Sequence, residues 1–118
     1  YVDWGDGSGT ENFTGDASHE YAIAGDYEVK IYNDFPAIYF NNGGDDEKII
    51  SIDQWGTIEW QTMQRAFYGC SYLHINATDA PDLSQVTDMS YMMRSMGSFN
   101  EFINHWDVST ITNMSKLF

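Results

Sequence analysis

Hydrophobic and polar positions alternate in one pattern that is written twice in the last third of the chain. Asp82-Leu-Ser-Gln-Val-Thr-Asp-Met-Ser-Tyr-Met-Met93 and Asp107-Val-Ser-Thr-Ile-Thr-Asn-Met-Ser-Lys-Leu-Phe118 match in register, so that Val86 and Ile111, Met89 and Met114, and Met93 and Phe118 are each 25 positions apart. A degenerate copy lies 26 upstream, with Trp60, Met63, Phe67, Cys70 and Leu73 at the positions of Val86, Met89, Met93, Met96 and Phe99. Periods of this size mark stacked repeats, because one unit cannot bury its apolar face alone. Within a copy the apolar residues Val86, Met89 and Met93 fall at i, i+3 and i+7, which predicts a helix of about two turns. Ser84 and Ser109 stand where an N-cap belongs. Trp106 and Val108 predict a short strand with both side chains inward and Asp107 outward.

The first third has a different rhythm. Tyr1–Trp4 reads as a strand, and Gly5, Gly7 and Gly9 supply the positive φ that a turn needs. Tyr27, Val29 and Ile31 alternate with Glu28, Lys30 and Tyr32, predicting a half-buried strand. Phe35–Phe40 predicts an edge strand with Pro36 near its start, and Lys48–Ile52 a further strand of β-branched residues. These patterns divide the chain into a β-rich N-terminal cap over 1–45 and a repeat region over 46–118, with copies near 55–80, 81–105 and 106–118.

Two stretches also resemble known families. Asp3-Trp4-Gly5-Asp6-Gly7-Ser8, His19-Glu20-Tyr21 and Gly25-Asp26-Tyr27-Glu28-Val29 are similar to the ordered motifs of a PKD-type β-sandwich, without its opening strands. Gln54–Met63, Ala66–Leu73, Ala77–Leu83 and Trp106-Asp107-Val108-Ser109 resemble the BspA-like leucine-rich-repeat surface proteins. The combined expectation is an α/β solenoid: a leucine-rich-repeat-like right-handed coil with short helices, preceded by a PKD-like cap. That resemblance implies a secreted or surface-anchored protein, often bacterial, used in adhesion or partner binding.

Composition narrows the partners. With 18 Asp and Glu against 5 Lys and Arg, the net charge is −13. Nucleic acid and anionic membranes call for a broad basic surface that five cations do not provide. A single cysteine, Cys70, excludes an internal disulfide, and its place in the repeat predicts burial. No sequence frame for a serine nucleophile, a phosphate loop, a dinucleotide fold or a zinc protease occurs, so the chain reads as non-enzymatic. Asp3 and Asp6 are the calcium candidates, as hard oxygen ligands beside glycine turns; no other cofactor is expected.

The expected function is binding of a protein partner, with a glycan as the other candidate, outside the cell or at its surface. Residues that the repeat turns away from the core are the candidate contacts: Glu101, Asn104, His105, Asp107 and Thr110. The alternatives are a carbohydrate-binding accessory module, for which Tyr39, Tyr72 and Tyr91 are the surplus aromatics, and a structural spacer. The open last coil predicts self-association. Asn12, Asn76 and Asn113 stand in N-x-S/T sequons.

Overall fold

The computed structural model of the chain describes residues 1–14, 17–35, 37–96 and 103–118. Two compact units divide it, Tyr1–Phe35 and Pro36–Phe118.

In the first unit three two-residue strands, β1 (Val2–Asp3), β2 (Thr10–Glu11) and β3 (Lys30–Ile31), form an antiparallel sheet in the order β2-β1-β3. Val2 lies opposite both Glu11 and Ile31, and among the described residues of this unit it is the buried one. The turn between β1 and β2 holds Gly5 at φ 80°, and a Cβ there would collide with the carbonyl oxygen of Glu28. Only glycine meets both conditions. The half-buried strand expected over Tyr27–Tyr32 shortens to β3, and Val29 is exposed.

The second unit contains β4 (Ser51–Ile52) and β5 (His74–Ile75), which pair in parallel with Ser51 beside His74 and Ile52 beside Ile75. Isolated parallel bridges join Glu59 to Asp82 and Asp88 to Asn113. Between them run single hydrogen bonds from one copy of the pattern to the next. Met63, Arg65, Phe67 and Gly69 donate to the carbonyls of Asp88, Ser90, Met92 and Arg94, while Met89, Tyr91 and Met93 donate to Asn113, Ser115 and Leu117. Inward side chains from these layers form the core, in which Met63, Phe67, Cys70, Val86, Met89, Met92 and Met93 are fully buried.

No α-helix occurs among the described residues. The expected α/β solenoid of the leucine-rich-repeat type, with its short helices, is therefore corrected to a small β-rich fold built from strands and turns. The reason lies in where the N–H groups go. A helix needs each of them for its own i−4 carbonyl, whereas Met89, Tyr91 and Met93 donate outward to the next copy, and Val86, Met92 and Arg94 close tight turns on Leu83, Met89 and Tyr91. Tyr91 and Ser95, both at φ 59°, interrupt any right-handed helical path. Such turns also bring positions three apart to one side, so the apolar spacing is kept without a helix.

The expected caps change as well. Ser84 and Ser109 are donors, their N–H groups bonding Asp82 Oδ1 and Asp107 Oδ1 at 3.0 Å each, so the aspartates are the capping residues of local turns. Trp106 is buried but Val108 is 39% exposed, which removes the strand predicted to turn both inward. Phe99, expected in the core, lies outside the described residues, as does Pro36.

Candidate functional site

In the first unit, an aromatic stack forms beside the glycine turn. Trp4 stacks on His19 at 5.0 Å, the edge of His19 meets Tyr21 at 4.7 Å, and Tyr21 stacks on Tyr27 at 4.1 Å. The Tyr21 hydroxyl donates to the Trp4 carbonyl at 2.8 Å. His19 Nε2 lies 2.7 Å from Asp6 Oδ2, and Ser8 donates from Oγ to Asp6 Oδ1 at 2.6 Å and from N at 3.1 Å. The bonds from Ser8 and His19 hold the Asp6 carboxyl at a pKa of about 2. Asp3 Oδ1 accepts from the Gly5 N–H at 2.9 Å. Both calcium candidates thus serve as acceptors in their own turn. Among the described residues no group of three or more His, Cys, Asp or Glu side chains is placed to hold a metal.

The second unit separates the predicted contact residues. Asp107 and Thr110 line a hollow of about 170 Å³ with Pro81, Asp82, Leu83, Ser84 and Ser109. The Thr110 hydroxyl lies 3.0 Å from the Leu83 carbonyl and 2.9 Å from that of Val86, so it ties two copies together. His105 lines a second hollow, of about 470 Å³, with Ile75–Thr78. Its Nε2 is 3.1 Å from the Asp79 carbonyl, which only accepts, so this nitrogen is the donor. Asn104 is exposed, and Glu101 lies outside the described residues. The Asp79 carboxylate accepts from the Trp55 and Gly56 N–H groups at 2.9 and 2.8 Å. Burial, with the Asp46 carboxylate adding to it, pushes the Cys70 thiol up to about 12, far from nucleophilic use at neutral pH.

A different group of side chains comes together around Tyr91. The Arg65 guanidinium lies 4.6 Å from the centre of its ring, that of Arg94 5.4 Å, and the Lys116 ammonium 5.7 Å. Tyr68 adjoins the same ring at 5.8 Å. Three of the chain's five Lys and Arg residues therefore gather on one aromatic side chain. Arg65, Tyr91 and Lys116 hold the same position in successive copies, and all three have left-handed backbones, at φ 55°, 59° and 52°. A residue with a Cβ loses about 1–2 kcal/mol in that conformation. Asn41 and Asn42, at φ 50° and 56°, show the cheaper residue type for such turns. Aligning the copies by register and asking where the few cations fall would have found this row. Choosing outward residues on the last copies alone did not.

A family model described as Mycoplasma protein of unknown function, DUF285, matches residues 37–118, more than half of the chain. The chain belongs to the DUF285 family. The DUF285 match covers nearly all of the second unit, including the Tyr91 row. This finding, with the absence of helices among the described residues, corrects the resemblance to leucine-rich-repeat surface proteins preceded by a PKD-like segment. No curated protein and no solved structure matches the chain significantly.

Proposed function

We propose that the second unit is a non-enzymatic binding module, acting outside the cell or at its surface, that engages a protein partner through outward side chains. The observation that carries this reading is the Tyr91 row. An acidic chain gathers three of its five cations at one place, and two of them, Arg65 and Lys116, share with Tyr91 a left-handed backbone that disfavours them. Strain kept at a surface row, where core packing does not require these residue types, suits recognition better than folding. The hydrogen bonds between copies make the frame under the row stiff, which lowers the ordering cost of binding.

Binding to a glycan has one observation in its favour: Tyr39 and Tyr72 are 62% and 61% exposed. An array of immobilised proteins and glycans, probed with the folded chain, separates the two. Saturable capture by a protein supports the module as proposed, capture by glycans alone moves the function to the accessory class, and silence across the array favours a structural spacer.

A further inference from the structure

We infer that the row Arg65–Tyr91–Arg94–Lys116 is the docking site for a short acidic segment of a protein partner. This rests on the reading of the second unit as a protein-binding module and names the chemistry that the module takes.

The ion pairs among the described residues are His19 with Asp6 and Lys48 with Asp45. None of the 18 acidic residues that is described closes a pair with Arg65, Arg94 or Lys116. Arg65 uses one nitrogen, Nη1, to donate to Asn41 Oδ1 at 3.0 Å; a guanidinium has four further N–H groups to offer. Three like charges held on one ring repel one another, and an arriving carboxylate relieves that repulsion while meeting donors shaped for two-point contact.

The size of the row also limits what it can hold. Neighbouring layers in a parallel arrangement are about 4.8 Å apart, so Arg65 and Lys116, two layers apart, are separated by about 10 Å. An extended peptide covers that distance in about three to four residues. Two or three carboxylates fill the row, and anything longer runs onto a surface of net charge −13. At physiological salt that repulsion is felt over only about 8 Å. A short acidic segment escapes it, whereas a nucleic acid, a sulfated polymer or an anionic membrane does not. The ring geometry points the same way, since the guanidiniums and the ammonium crowd the Tyr91 ring that a sugar would stack on.

The test uses the full chain and fluorescence anisotropy with a labelled synthetic peptide carrying three glutamates in a Gly-Ser frame. The same peptide with glutamines and a heparin oligosaccharide are the competing probes. Expected is saturable binding of the glutamate peptide, none of the glutamine peptide, and a roughly tenfold weaker affinity for Arg94→Gln/Lys116→Gln, in the range that two exposed charge pairs span. Tyr91→Asn, which suits the left-handed backbone and removes the ring, also weakens binding. A cooperative urea transition that begins above the assay conditions checks that each variant is folded. Equal binding of the two peptides, equal binding by the double variant, or tighter binding of heparin at the same residues overturns the inference. If a protein found on the array binds the wild type and the double variant alike, the module reading stands and this one fails. If no array protein and neither peptide binds, both fail.

Discussion

Gly69 and Gly56 both occupy left-handed backbone, at φ +87° and +70°, yet only one of them is crowded. A Cβ on Gly56 meets nothing within 4 Å, whereas on Gly69 it would lie 2.5 Å from Asn42 Oδ1, 2.6 Å from Asp46 Oδ2 and 2.7 Å from Asn42 Cα. The two carboxamide and carboxylate oxygens can swing aside. The Cα cannot, because the Asn42 N–H is bonded to the Tyr68 carbonyl at 2.6 Å. Alanine keeps the backbone donors of both glycines, to Arg94 O and to Asp79 Oδ2 respectively. Gly56→Ala therefore loses only the backbone term, about 1–2 kcal/mol. Gly69→Ala loses that and an overpacking term of about 1–3 kcal/mol, for a total of about 2–5 kcal/mol. In a unit of this size each 1 kcal/mol moves the Tm by about 4–8 °C. Urea unfolding followed by tryptophan fluorescence reads the difference, since Trp55, Trp60 and Trp106 are all buried in the second unit. Equal losses in the two variants would refute the claim that the loop at Asn42–Asp46 is clamped against the first copy.

Three further outcomes are expected. Native Cys70 resists a thiol reagent at pH 8 and reacts only after denaturant is added; rapid labelling of the folded chain would contradict its burial and raised pKa. Asp6 has a folded pKa of about 2, below its ordinary 3.8, so its hydrogen bonds add stability above pH 3.8 that is lost as pH falls through 2. A carboxyl titration by NMR should place its midpoint near 2, and Asp6→Asn should remove this part of the acid sensitivity; an ordinary midpoint would mean that the His19 and Ser8 bonds do not persist. Val108, Met114 and Phe118 are 39%, 42% and 62% exposed, and sedimentation velocity at rising concentration should show self-association that Met114→Gln reduces; a concentration-independent monomer would remove that expectation.

The register of the repeat was legible in the sequence, and with it the core. Trp60, Met63, Phe67, Cys70, Leu73, Val86, Met89, Met93 and Met96 are buried in the first two copies, whereas Met114 and Phe118, at the matching positions of the last copy, are exposed. That these copies run as turns and not as helices was not legible, because apolar residues at i, i+3 and i+7 fit a chain of tight turns as well as a helix. The deciding fact is the left-handed backbone at Tyr91 and Ser95, and neither residue is of the glycine or asparagine type that announces it. The resemblance to helical repeats carried that error into the fold class. For the site, outward position on the last copies drew attention to Asp107 and Thr110, whose polar atoms are engaged in holding turns and copies together. The basic row escaped notice because it is spread over residues 65 to 116 and only the stacking of copies assembles it.

The central claim is that this row is the surface a partner meets. Two-dimensional ¹H–¹⁵N NMR of the chain during titration with the three-glutamate peptide tests it most directly. The account predicts shifts that saturate together and centre on Arg65, Tyr91, Arg94 and Lys116, including the arginine side-chain N–H signals. Shifts centred on His105, Asp107 and Thr110 would contradict it.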